Sequence, residues 1–245
     1  MAGLVQTKNP LVLNLSRHDS LSAEEERILE GVVDRIDSFR AGDDIVLEDS
    51  RPSESCLMLS GFSARYHILH DGKRQLTALH LTGDFLDLHS LLLKVMDHGV
   101  TALTDCQIAR VPHDRLRKIT EEQPHLTRLL WLSTVIDAAI HRAWIVAMGR
   151  RSAVGQMAHL LCEVFLRLEA VELTDGYSFD FSVTQGEVAD MLGRSTVHVN
   201  RALQFLRQKE ILRWRGPKVT IEDWDRLQAI ADFDPTYLSL RKEAR

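Results

Sequence analysis

Short apolar runs separated by turn signals occupy the chain from about Arg40 to Val111. The runs are rich in Val, Ile, Leu and Thr, and glycine-containing turns interrupt them at intervals typical of antiparallel strands. The strongest hairpin signal is Asp71-Gly72, because both central residues of a two-residue type I′ turn need positive φ. The pattern predicts an antiparallel β-roll.

A helix is predicted ahead of the roll. Ser22 and Glu25 have the spacing of a capping box, and apolar side chains follow them at helical intervals. These apolar side chains are Ile28, Leu29, Val32 and Val33. We expect them to be buried in the first structured element of the chain.

A long helix is predicted after Pro124, since neither glycine nor proline recurs until Gly149. Its apolar residues form one seam at alternating steps of three and four, as in a coiled coil. This seam, which predicts the dimerisation surface, is Leu126, Leu129, Ser133, Ile136, Ile140, Ala143 and Ala147. A second apolar face is Leu132, Val135, Ala139 and Val146. One face would pack on the roll and the other on a second copy; a helix packed only within its own chain is the alternative.

The stretch from Gly149 to Gly155 is the candidate hinge between two domains. We therefore divide the chain into a roll domain at 1–122, a dimerisation helix at 123–150 and a C-terminal domain at 151–245. A further helix is expected from Ser152 to about Glu169.

Two short helices with a sharp corner are predicted in the C-terminal domain. Thr184 and Glu187 form a second capping box, Gly193 ends the first helix, and Ser195 caps the next. This arrangement has the length and the turn glycine of a helix-turn-helix.

The second of these helices has a mixed polar face. Val199, Ala202, Leu203 and Leu206 share the opposite side and are expected in the core. The polar face carries Val197, Asn200, Arg201, Gln204 and Gln208. Arginine can bind guanine through two acceptors, amides can bind adenine, and valine can contact a thymine methyl group. The face therefore predicts major-groove recognition, although an amphipathic helix with an unused face is the alternative.

Basic residues surround this motif. Ser195, Thr196 and His198 lie at the helix N-terminus, where backbone N–H groups favour a phosphate. The following segment "EILRWRGPKVTIE" predicts a wing with Arg213, Arg215 and Lys218 near the DNA backbone. The net charge of −5 hides seven basic residues between positions 194 and 218, opposed by a single acidic residue. The run "EDWDRLQAIADF" is expected to be a packing helix.

Composition narrows the class of protein. Three cysteines lie far apart with no C-x-x-C pair, which favours a reduced, cytoplasmic chain over a disulfide framework or a cysteine-rich metal site. We expect neither a transmembrane segment nor a secretory signal, because no window has about eighteen consecutive apolar residues.

The order of these parts resembles the Crp/Fnr family of bacterial transcription regulators over roughly residues 21–238. The most specific segments are "VTQGEVADMLGRSTVHVNRALQFLRQKEIL" and "LTGDFLDLHSLL". The resemblance implies an α+β fold with an N-terminal antiparallel β-roll like a cyclic-nucleotide-binding domain, a long dimerisation helix and a C-terminal winged helix-turn-helix. It also implies a homodimer that reads an inverted repeat in double-stranded DNA, with RNA polymerase as a further partner.

The resemblance assigns roles along the recognition helix. Arg201 matches the arginine that reads guanine, and Val197 stands where many members have a glutamate. Asn200 or Thr196 falls on the third base-reading position, and Ser195 and His198 match positions that contact phosphate. The complete predicted DNA-binding set is Thr184, Ser195, Thr196, Val197, His198, Asn200, Arg201, Gln204, Arg215 and Lys218.

No cofactor is predicted for the roll. Relatives that bind cyclic AMP use an arginine after "GDF", and no arginine lies between Arg74 and Arg110. Relatives with an iron–sulfur cluster use N-terminal cysteines, which residues 1–50 do not contain. Haem is left open.

The histidines of the roll are expected to be surface residues or hydrogen-bonded core residues, because none makes an H-x-H or H-x-x-x-H pair. They are His67, His70, His80, His89, His98 and His113. Cys106 is expected to be a small buried residue. Two other functions compete with transcription regulation: a ligand- or haem-sensing module that recruits protein, and a cupin-like metalloenzyme.

Overall fold

The computed structural model describes residues 9–245. Helix α1, Pro10–Ser16, is capped by Asn9 and was not predicted. Helix α2, Ala23–Glu30, carries the predicted capping box in full. It ends before Val32, so the expected stripe lies partly outside the helix, although Leu29 and Val32 are both buried.

The predicted antiparallel roll is confirmed. Its strands are β1 Arg35–Phe39, β2 Asp44–Val46, β3 Glu54–Ser60, β4 Ser63–Ile68, β5 Arg74–His80, β6 Gly99–Ala102 and β7 Cys106–Pro112. They form two antiparallel sheets in the orders β1-β7-β3 and β2-β6-β4-β5, and a short 3-10 helix, Leu88–Leu91, lies between β5 and β6. Buried apolar side chains from both sheets meet in the interior, where Cys106 is also buried as expected.

The β4–β5 hairpin lies where Asp71-Gly72 predicts it, but its turn is of another type. Of these two residues only Gly72 has positive φ, at 82°. The Gly72 N–H donates to the Leu69 carbonyl, and the Leu69 N–H donates to the Lys73 carbonyl, both at 2.8 Å. This is a type I turn followed by a left-handed glycine, so Asp71 avoids the positive φ that a type I′ turn would impose.

Helices α3, His113–Glu122, and α4, Pro124–Arg150, follow the roll. The 27 residues of α4 span about 40 Å at 1.5 Å per residue. Among the residues that the structure describes, α4 is also the one helix long and apolar enough to cross a membrane. Core helices of soluble proteins meet the same criterion of length and composition.

The predicted dimerisation seam of α4 needs correction. Leu126, Leu129, Ile140 and Ala147 are buried within their own chain. Ser133, Ile136 and Ala143 are half-buried on the same side. The large apolar side chains of α4 that remain exposed lie on another face: Trp131, Val135, Ile145 and Val146. The periodicity correctly predicted apolar residues on two faces of α4. However, the face predicted to meet a second copy is the one that packs against the rest of its own chain.

The C-terminal part begins after Arg151 and Ser152. Its helices are α5 Ala153–Ala170, α6 Gln185–Leu192, α7 Thr196–Gln208 and α8 Trp224–Ala231, and a 3-10 helix follows at Pro235–Leu238. Its strands are β8 Thr174–Asp175, β9 Ser178–Asp180, β10 Leu212–Arg215 and β11 Lys218–Ile221, in the sheet order β10-β11-β9-β8. The hairpin of β8 and β9 was not predicted. Helix α8 packs against α5, as expected of a packing helix.

Candidate nucleic-acid interface and the roll cavity

The corner between α6 and α7 is formed by local hydrogen bonds. The Thr184 hydroxyl accepts from the Glu187 N–H at 3.2 Å, and the Glu187 carboxylate accepts from the Thr184 N–H at 2.6 Å. Gly193 ends α6 in the left-handed conformation at φ 60°, where a side chain would be strained. Ser195 occupies the N-cap of α7, but its hydroxyl hydrogen-bonds to His198 Nδ1 at 2.8 Å instead of capping the backbone.

Helix α7 has the two faces that its sequence predicts. Val199, Ala202, Leu203 and Leu206 are buried. All the predicted DNA-contacting positions are exposed: Thr184, Ser195, Thr196, Val197, His198, Asn200, Arg201, Gln204, Arg215 and Lys218. Val197, the second residue of α7, is 56% exposed and lies among these polar positions.

The arginines of this region divide into two groups. Arg194 donates to the Gln156 side chain at 3.0 Å, Arg207 donates to the Trp214 carbonyl at 2.7 Å, and Arg213 pairs with Glu222. Within residues 9–245, Arg201 makes neither a hydrogen bond nor an ion pair through its side chain. Arg213 is thus engaged in a surface ion pair with Glu222, whereas Arg201 is exposed and available.

The wing is a tight hairpin. Strands β10 and β11 pair from Leu212↔Ile221 to Arg215↔Lys218, and Gly216 at φ 57° and Pro217 form the loop. Trp214 Nε1 donates to the Gly216 carbonyl at 3.1 Å and braces this loop. The hairpin therefore holds the Arg215 and Lys218 side chains at the tip of the wing.

A cavity of about 480 Å³ lies between the roll and α4. Six histidines are among its lining residues: His18, His67, His80, His89, His98 and His141. Four of the six histidines that the sequence singled out therefore line one cavity. Three of them depart from the expectation of hydrogen-bonded core residues, because the Nε2 atoms of His80, His89 and His98 are buried without a hydrogen-bond partner among residues 9–245. His70 is exposed on the β4–β5 turn, and the remaining histidine, His113, is buried against Ser55 and Ser90.

Two arginines reach this cavity from outside the interval between Arg74 and Arg110. Arg65 on β4 is only 7% exposed; it contacts Asp137 and His141 Nε2, each at 3.2 Å, and donates to the Leu86 carbonyl at 3.1 Å. Arg167 on α5 contacts Asp84 at 2.6 Å. Both cations are therefore paired with carboxylates of their own chain.

Burial controls the charge of the cavity histidines. It lowers the pKa of His80 well below its usual value, and together with the Arg65 charge it lowers the pKa of His98 to about 4. These imidazoles are consequently neutral at pH 7. Burial also raises the pKa of the Asp87 carboxyl to about 6.

Comparison with known proteins agrees with this architecture. Residues 36–123 match the cyclic nucleotide-binding domain, and residues 155–230 match the Crp-like helix-turn-helix domain. The chain is 26% identical over 204 residues to the transcriptional activator protein FnrL of Cereibacter sphaeroides, covering 80% of each protein. It is 28% identical over 213 residues to the nitrogen fixation regulation protein FixK of Bradyrhizobium diazoefficiens, covering 86% of this chain and 88% of that protein.

Solved structures show the same fold. FixK2 from Bradyrhizobium japonicum superposes with a TM-score of 0.72 at 24% identity, covering 80% of this chain and 96% of the other. A CooA mutant from Carboxydothermus hydrogenoformans gives a TM-score of 0.66 at 17% identity, over 94% and 98%. With its β-roll, long helix and exposed recognition helix, the chain belongs to the Crp/Fnr family of DNA-binding transcription regulators.

Proposed function

We propose that the chain works as a homodimer that reads an inverted-repeat operator with two copies of α7. The observation that carries this proposal is Arg201, which is exposed and unpaired in the described chain beside Val197, Asn200 and Gln204. Two recognition helices related by a two-fold axis would enter successive major grooves, with half-sites one helical turn apart.

Each residue on this face has a distinct proposed role. Arg201 binds guanine through two hydrogen bonds, Val197 contacts a thymine methyl group, and Asn200 or Thr196 supplies the third base contact, with Gln204 beside it. Ser195 and His198 bind phosphate at the α7 N-terminus, and Arg215 and Lys218 do so from the wing. The Thr184 hydroxyl is already used in the capping box. We propose that Thr184 lies close to the DNA backbone.

The exposed face of α4 supports the dimer. Trp131 is 69% exposed, and Val135, Ile145 and Val146 lie exposed on the same side of the helix at about 100° per residue. A large apolar stripe of this kind is covered in most soluble proteins. We infer that a second copy of α4 covers it, because a two-fold axis along α4 also supplies the symmetry that an inverted repeat requires.

The wider assignments follow from the family. We propose three functional parts, 1–122, 123–150 and 151–245, in a cytoplasmic regulator that has no enzymatic activity. The name of the FnrL relative describes a transcriptional activator. We therefore propose activation through contact with RNA polymerase at the promoter.

Selection of bound sites from random duplex DNA tests the proposal. The purified full chain is expected to enrich an inverted repeat whose half-site contains a guanine at the Arg201 contact. Enrichment of unrelated sequences without symmetry, at a salt concentration that suppresses non-specific binding, would contradict it.

Replacing Val197 with glutamate is expected to change which base is preferred at one position of each half-site. A carboxylate accepts from the amino group of cytosine and repels the acceptor edge that valine tolerates, which gives about 1–3 kcal/mol of discrimination. Site selection with wild type and V197E, run in parallel, measures the change. An unchanged preference would show that Val197 does not lie against a base.

Replacing Trp131 with glutamate is expected to convert the dimer to a monomer at micromolar concentration, because two buried carboxylates would face each other across the α4 interface. Sedimentation equilibrium gives the mass of each variant. The control is Leu47→Glu, which places the same charge at another exposed apolar residue. A W131E chain that remains a dimer would place the interface elsewhere.

A further inference from the structure

One wall of the roll cavity carries three potential metal ligands that are close in both sequence and space. His89 lies on the 3-10 helix Leu88–Leu91, and Asp97 and His98 directly precede β6. One ligand atom from each residue lies within 4.8 Å of the other two. Among the residues that the structure describes, this is the one group of three or more such side chains found with metal-ligand spacing.

The His98 ring is oriented as a metal ligand would be. Its Nδ1 lies 2.7 Å from the Asp97 carboxylate. A carboxylate only accepts, so Nδ1 donates to Asp97 and Nε2 is the ring nitrogen left for a ligand. That Nε2 atom is buried and has no hydrogen-bond partner in the part of the chain described.

Two neighbouring histidines leave the same kind of atom unused. His89 Nε2 and His80 Nε2 are buried without a partner among residues 9–245. The centroids of the His89 and His98 rings are 5.2 Å apart. His80 is only 3% exposed. Buried polar atoms in native proteins usually have a partner, so these three nitrogens are available to a ligand or to water in the cavity.

Two of the three arginines that line the cavity are already paired. Arg65 contacts Asp137 and Arg167 contacts Asp84, while Arg17 also lines the cavity. The Nε2 atoms of His80, His89 and His98 can offer lone pairs to a cation. The Asp97 side chain is 75% exposed, which leaves an entry route from solvent.

We propose that His89, Asp97 and His98 bind a divalent transition-metal ion in the roll cavity. Two imidazoles and one carboxylate suit Zn²⁺, Co²⁺ or Fe²⁺. Bonds of about 2.0–2.2 Å place tetrahedral ligands about 3.3 Å apart, so the three side chains move closer together when the ion binds. Asp97 then moves from orienting His98 to binding the ion, and a water takes the fourth position.

The test is direct binding of Zn²⁺ and Co²⁺ to the full chain after a chelator has been removed. The wild type is expected to bind one ion per chain, with the visible absorption of four- or five-coordinate Co²⁺. His98→Gln, His89→Gln and Asp97→Asn are each expected to weaken binding by more than about tenfold. His70→Gln is the matched control, because His70 is exposed outside the cavity, and it should bind as the wild type does.

Two results would overturn the proposal. One is a wild-type chain that binds neither ion; the other is a set of three variants that bind as tightly as H70Q. Asp97→Asn protects the test against misfolding, since this side chain is mostly exposed and circular dichroism should be unchanged. The measurement is independent of DNA, so its outcome does not depend on the proposed operator binding.

Discussion

Arg201→Ala is expected to abolish selective operator binding while leaving the fold intact. Each copy of Arg201 loses a two-bond contact to guanine, which costs about 1–3 kcal/mol. A symmetric dimer loses two such contacts, so affinity should fall roughly 30-fold at the lower bound and roughly 20,000-fold at the upper. No internal partner is lost, because Arg201 contacts no other side chain among the residues that the structure describes.

Fluorescence anisotropy with a selected operator and a scrambled duplex measures this effect. R201A should lose affinity for the operator and bind both duplexes nearly equally. The control is Arg27→Ala, which removes the same charge from an exposed surface pair on α2. Retention of a large operator preference by R201A would remove Arg201 from the base-reading set.

Arg167→Met is expected to destabilise the folded chain by about 3–5 kcal/mol, because it leaves buried carboxylates without their cation. Arg167 joins Asp84 of the roll to Glu163 of α5 and also donates to the Leu79 carbonyl. Glu163 is completely buried and accepts further bonds from Trp144 and Tyr237. Burial raises the pKa of the Glu163 carboxyl, and Arg167 opposes that rise.

Urea unfolding at a fixed chain concentration gives the free energy of unfolding of this variant. Arg226→Met serves as the control, since Arg226 is exposed and pairs only with Asp223 on the surface. Its change should stay within about 0.5 kcal/mol. Similar small losses in both variants would mean that the buried network contributes little to the stability of the fold.

Local signals were the parts of this structure that the sequence predicted best. The capping boxes at Ser22 and Thr184 and the turn glycine at 193 depend on residues three positions apart or on a single φ angle. Such interactions are complete within one turn of chain, so a single sequence contains all of their determinants. The β4–β5 turn was less predictable, because its type also depends on how the two strands are paired.

Non-local placement was what the sequence could not show. The spacing of Leu126 and Trp131 reveals two apolar faces on α4, but nothing in that spacing says which face meets the roll. His80, His89 and His98 come from a strand, a 3-10 helix and a loop, so no short motif joins them. Arg65 and Arg167 are 102 positions apart, and both lie outside the interval between Arg74 and Arg110 in which the resemblance places the arginine.

The contact between Gln75 and α6 bears on how the chain can be cut for experiments. Gln75 Nε2 donates to the Asp190 carbonyl at 2.6 Å, Arg74 pairs with Asp190 at 2.9 Å, and one apolar core runs from Phe62 of the roll to α7. A fragment of residues 151–245 would expose that core and lose both partners of α6. The intact chain is therefore the better material for DNA-binding work.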